Sequence, residues 1–213
     1  MKNKTQKTVR KDSLQTKQKL VDAAERLFAE QDVERVNLVD VSKEAGQKNR
    51  NAAQYHFGDR AGLITAVLNR HADVIAEQRR QALASLGQQD KVTMKALVAV
   101  LVLPVVEHVK TDPHGLSYLR LNRQLVCSSY HNELSWHRVN DRPEVEQLLS
   151  LMMSLMKPHS KNSLRAKMVL MQSMLFHGLT SFYDFSSLSS IDEFVETLCM
   201  SIEAVLLAGS NPK

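Results

Sequence analysis

The sequence predicts an all-α protein, and three observations carry that expectation. Apolar residues recur at intervals of three and four along most of the chain, the spacing that lines one face of a helix. The one stretch with strand propensity, residues 91–111 with Val98, Val100, Val102, Val105 and Val106, has no partner strands to pair with. Two short helical patterns, separated by a turn containing Gly46, stand at the spacing of a helix-turn-helix. Together these predict about nine helices, arranged as a flexible basic arm over 1–14, a helix-turn-helix unit over 15–60 and a larger helical domain over 61–213.

In chain order, Leu20, Ala24, Leu27 and Phe28 place one apolar face on a helix from Thr16 to Glu30, with Lys19, Asp22, Glu25 and Arg26 opposite. Asn37 offers an N-cap to a brief helix carrying Leu38, Val41 and Ala45, which Gly46 ends. After the polar turn Gln47-Lys48-Asn49, residues Arg50 to His56 read as a third helix, closed by Phe57-Gly58. Asp59 caps a fourth helix, bearing Leu63, Val67, His71, Val74 and Gln78 and ending near Gly87; its length makes it the connector between the two parts. Residues 91–111 become a buried helix, apolar all round, in which Pro104 introduces a kink and frees a carbonyl one turn earlier. A turn at Asp112-Pro113-His114-Gly115 leads to helices over Leu116–Glu133 and Glu144–Met156, separated by a polar loop around Trp136 and Pro143 and stopped by Pro158. Two last helices, Ser163–Phe185 and Ser190–Ala208, flank a Ser-rich segment.

Charge is uneven along the chain. Residues 1–80 carry 16 Lys and Arg against 11 Asp and Glu, whereas residues 81–213 carry 12 of each, so the whole surplus of +5 lies in the N-terminal portion. Within the first 20 residues Lys2, Lys4, Lys7, Arg10, Lys11, Lys17 and Lys19 face only Asp12. This is the composition of an arm drawn to phosphates, or of a solubilising tail. The longest apolar run, Ala96–Val106, falls short of a membrane span and contains Pro104. The basic N-terminus leads into Lys11-Asp12-Ser13 rather than the apolar core of a secretory signal, so a cytoplasmic protein is expected.

Two cysteines, Cys127 and Cys199, stand in no metal or disulfide spacing. His108, His114, His131, His137 and His177 show no i, i+4 pairing, and no metal or cofactor is expected. An enzyme finds little support: there is no GxSxG, no HExxH and no phosphate-cradling glycine loop among seven glycines.

The functional expectation rests on the second helix of the helix-turn-helix, which in such motifs enters the major groove. Lys48, Asn49, Arg50, Asn51 and Gln54 are side chains that read base edges, Arg pairing with guanine and Asn or Gln with adenine. Tyr55 is assigned to the phosphate side and Phe57 to the core. The strings AAERLFAE, VSKEAG and YHFGDRAGLI, in that order, resemble the signature of the TetR (tetracycline-repressor-like) family over about residues 15–70. That resemblance implies a DNA-binding regulator in which His56 and Arg60 touch phosphates. The chain departs from the common pattern by one extra residue between Gly46 and Phe57 and by Gln54 where the pattern has Tyr, for which Tyr55 is the expected substitute.

The C-terminal portion carries no comparable fingerprint. Leu101, Val105, Met152, Met156, Met171 and Met174 are expected around an apolar effector beside the Pro104 kink, because unbranched thioethers adapt to varied shapes; such residues also simply fill cores. Met168, Leu175, Leu179 and Phe182 form one apolar stripe, and Leu198, Ile202 and Val205 another. The resemblance implies that two such helices from each subunit join in a homodimer, with Gly178 allowing close approach; packing within one chain is the alternative. The expected partners are thus a palindromic duplex operator, a second copy and an apolar small molecule. The rival reading is a helical protein-interaction module without specific DNA binding.

Overall fold

The computed structural model of the chain describes residues 2–88, 90–128, 142–156, 160–185 and 190–209, with residues 2–11 as backbone alone. Among the described residues there are nine helices and no strand. They are α1 (Lys2–Glu30), α2 (Leu38–Glu44), α3 (Ala52–Phe57), α4 (Arg60–Leu86), α5 (Met94–Thr111), α6 (Gly115–Val126), α7 (Pro143–Leu155), α8 (Lys161–Asp184) and α9 (Ile191–Leu207). The chain divides into two compact units, Met1–Arg70 and His71–Lys213. The expected loop around Trp136, together with His131, His137, Pro158 and most of the Ser-rich segment after Phe185, lies outside the described residues.

In the first unit, Leu20, Ala24 and Phe28 on α1, Val41 of α2, Ala53 of α3 and Leu63, Ile64 and Val67 of α4 are all buried, and α1 packs on α2 and α3. Leu27, expected on that face, is half-buried. Two sequence expectations need correction. Helix α1 starts at Lys2 rather than near Thr16, so the basic segment read as an arm is helical; it contains no Gly or Pro to interrupt the pattern. Glu25, placed on the outward face, is buried, and its Oε2 lies 2.9 Å from Arg70 Nη1, which also reaches Asp22 Oδ1 at 2.6 Å. The pair of carboxylates on one guanidinium ties α1 to α4 and keeps the buried charge compensated.

The caps read from sequence are present. Asn37 Oδ1 accepts the Asp40 N–H at 2.9 Å at the start of α2, and Asp59 Oδ1 accepts the Gly62 N–H at 2.7 Å at the start of α4. Gly62 is required for a separate reason, since a Cβ there would stand 2.1 Å from the Phe57 carbonyl oxygen.

In the second unit α5 packs on α6, α7 and α9, and α8 packs on α6 and α9. Leu97, Val98, Val102 and Val105 are buried, confirming the helix at the centre of this unit, although Leu103 is 50% exposed, so it is not apolar on all sides without reaching solvent. Helix α5 runs unbroken through Pro104, and the Leu101 carbonyl, just upstream, accepts from Arg79 Nη2 at 3.3 Å. Helix α6 ends at Val126 and not at Glu133, with Cys127 as its C-cap. On α4, Ile75 takes the inward position and the expected Val74 faces outward.

Candidate nucleic-acid interface

The exposed segment around Lys48 to Tyr55 is shaped by how α2 and α3 are joined. Seven residues, 45–51, separate the two helices, more than the three or four of the usual turn. Gly46 enters this linker with φ +66°, a left-handed conformation that glycine adopts without steric cost. A single buried hydroxyl then fixes the helix pair: Ser42 Oγ donates to the Leu38 carbonyl at 2.9 Å and accepts the Ala53 N–H at 3.0 Å. Asn49 Oδ1 accepts the Asn51 N–H at 3.0 Å, which turns the chain into α3.

The third helix begins at Ala52, so Lys48, Asn49, Arg50 and Asn51, expected partly on the helix, lie in the turn that leads into it. Lys48, Asn49, Arg50, Asn51 and Gln54 are all exposed, and Tyr55 is 83% exposed. Among the described residues, the side chains of Lys48, Arg50, Asn51 and Gln54 form no hydrogen bond or ion pair with the protein. They present uncommitted donors and acceptors on one short segment, while Asn49 is spent on shaping the turn. His56 is half-buried, its ring 5.2 Å from Tyr55 and 6.3 Å from Phe57. Phe57 is half-buried rather than fully in the core, with Lys17 Nζ 5.6 Å above its ring. Arg60 donates Nε to the Val36 carbonyl at 2.7 Å, a tie between α4 and the segment before α2 that restricts its reach toward a phosphate.

Two clefts of the second unit border α5. One, of about 430 Å³, is lined by Gln78, Ala82, Ser85 and Leu86 of α4 and by Ala96, Ala99, Val100, Leu103, Pro104 and Glu107 of α5. The other, of about 300 Å³, lies between α5 and α9 around Leu103, Val195, Cys199 and Met200. Pro104 does border a cleft, but it opens toward α4 and away from the methionines. Leu101, Val105, Met152, Met156 and Met171 are buried and Met174 is half-buried, and none of them lines either cleft.

The dimer stripes require the same kind of correction. Met168, Leu175, Leu179, Leu198 and Ile202 are buried within the chain, where α8 and α9 pack on each other, and only Phe182 and Val205 remain half-exposed. Gly178 serves that internal packing, since a Cβ there would lie 3.5 Å from Leu198 Cδ1. Apolar periodicity identifies the face that packs, not the chain it packs against. Leu170, 50% exposed, and the half-buried Met174 one turn on form the outward apolar pair of α8.

Sequence reasoning missed a polar cluster in this unit. His71 of α4 and His108 of α5 are each 1% exposed, and His71 Nδ1 and His108 Nε2 share a hydrogen bond at 2.8 Å. The Tyr118 ring of α6 packs 5.0 Å from His71 and 5.8 Å from His108, and burial pushes its hydroxyl above its ordinary value. The only signal was a histidine on each of two apolar helical stripes, 37 residues apart. Nearby on α4, burial holds the Arg79 guanidinium below its ordinary value, and its Nε has no hydrogen-bond partner. Burial raises the Cys199 thiol, which disfavours the reactive thiolate. No helix among the described residues is long and apolar enough to cross a membrane.

No protein-family model matches the chain, and no curated protein matches it at a significant level.

Proposed function

We propose that the chain is a DNA-binding transcriptional regulator of the TetR-like kind, a ligand-responsive repressor that grips a palindromic operator as a homodimer in the cytoplasm. One observation carries the reading: the Ser42 bridge fixes α3 against α2 while Lys48, Arg50, Asn51, Gln54 and Tyr55 stand exposed with their polar groups uncommitted. Arg50, Asn51 and Gln54 have the donor and acceptor patterns that distinguish guanine and adenine in the major groove. The surplus of basic residues in the same half of the chain supplies attraction for phosphates.

In this reading the effector occupies the cleft between α4 and α5, whose walls are mostly Ala, Leu, Val and Pro, so it is an apolar small molecule. Helix α4 begins in the reading unit and ends in the cleft wall, which makes it the covalent link between the two events. The second copy docks through the outward pair Leu170 and Met174 on α8.

The test is fluorescence anisotropy on a mixed-sequence duplex between about 50 and 200 mM salt, with wild-type protein and Arg50→Ala. Affinity is expected to fall steeply with salt, and Arg50→Ala to bind more weakly. Salt-insensitive or undetectable binding would favour a protein-interaction module instead.

A further inference from the structure

We propose that His71, His108 and Asp112 form a binding site for a divalent first-row transition ion of the zinc class. One ligand atom from each, two imidazole nitrogens and a carboxylate oxygen, lie within 4.8 Å of one another. They come from α4, from α5 and from the C-cap of α5, so three points of the second unit converge on one spot.

The donor set determines the kind of ion. Two imidazoles with one carboxylate suit Zn²⁺, Co²⁺, Ni²⁺ or Fe²⁺, whereas Mg²⁺ and Ca²⁺ prefer oxygen alone. Three protein ligands leave a fourth, tetrahedral position for water. The geometry needs little change. With bonds of about 2.0–2.1 Å, two tetrahedral nitrogens stand about 3.4 Å apart, so the facing His71 Nδ1 and His108 Nε2 must open slightly from 2.8 Å. The hydrogen between them moves to the remote nitrogen of its own ring, a change of tautomer that releases no proton and alters no charge. Asp112 is already oriented, because its Oδ1 accepts the His114 N–H at 2.8 Å and its backbone N–H bonds to the His108 carbonyl at 2.9 Å. Tyr118 closes one side with a buried ring.

Apolar packing alone gives no reason for this arrangement. The two buried imidazoles turn their nitrogens toward each other beside the Tyr118 ring, and a bound ion would take a lone pair from each facing nitrogen. The site depends only on the second unit and stands independently of whether the chain binds DNA.

The experiment titrates metal-free protein with Co²⁺ and Zn²⁺, reading the visible d–d absorption of Co²⁺, its displacement by Zn²⁺, and the melting temperature. Wild type is expected to give the intense bands of a four-coordinate ion at one equivalent per chain and to melt several degrees higher with Zn²⁺. Asp112→Asn keeps the Oδ1 acceptor for His114 and is expected to weaken Zn²⁺ binding by about tenfold or more. His108→Gln is expected to abolish the absorption, with circular dichroism reporting that the variant is folded. His177→Gln, outside the cluster, is expected to bind as wild type does. Absence of the bands in wild type, or equal Zn²⁺ affinity in wild type and Asp112→Asn, would overturn the site. The wild-type spectrum decides the matter even where a variant fails to fold.

Discussion

Single residues determine whether the segment from Lys48 to Tyr55 is held in place. Ser42 is the clearest case, because its hydroxyl is buried and serves both helices of the pair. Ser42→Ala would leave the Ala53 N–H without its acceptor, a loss of about 1–3 kcal/mol that a urea titration reads directly. DNA affinity is expected to drop with it, since the angle between α2 and α3 loses its tie. A second residue links stability to pH. Burial, together with the positive charge of Arg123, holds the His177 imidazole below its ordinary value of 6.5, so the unfolded chain takes up this proton more readily than the folded one. Well above that value both states leave the ring neutral; as pH falls through it the unfolded state gains, and stability declines. The melting temperature is therefore expected to fall between about pH 7.5 and pH 5.5, and to fall less in His177→Gln. An unchanged pH profile in that variant would show that the ring does not contribute.

At the scale of elements, the helix starts with a side-chain cap were easy to read, whereas the uncapped starts of α1 and α3, the end of α6 and several helix faces were not. Asn37 and Asp59 announce their caps because the acceptor and its N–H lie three residues apart in sequence. The same local logic fails for α8 and α9, whose apolar stripes are real but face their own chain. It fails again for Glu25, whose partner Arg70 lies 45 residues away. The end of α9 is another such case: Lys167 Nζ is buried and donates to the carbonyls of Leu206 and Ala208 at 2.8 and 2.7 Å. A cation on the last carbonyls compensates the helix dipole and satisfies groups the helix leaves open. Lys167→Met is expected to cost about 1–3 kcal/mol and to raise amide exchange in the last turn of α9 while α1 to α3 are unaffected. Unchanged exchange there would mean that the cap is dispensable.

For the whole molecule, the all-α class was legible, because it follows from the helical periodicity of the apolar residues. The polar cluster and the clefts were not, since His71, His108 and the walls beside Pro104 meet only once α4, α5 and α6 have packed. The proposed binding of DNA as a symmetric pair fixes what the preferred duplex looks like: two inverted half-sites about one helical turn, or a multiple of it, from centre to centre. The most direct measurement is selection of duplexes from a random pool by the full chain, followed by affinities of wild type, Arg50→Ala and Gln54→Ala for the selected and a scrambled sequence. The expected result is an enriched inverted repeat, with each substitution reducing discrimination by about 1–3 kcal/mol. No enrichment over the starting pool, or full discrimination retained in both variants, would contradict it.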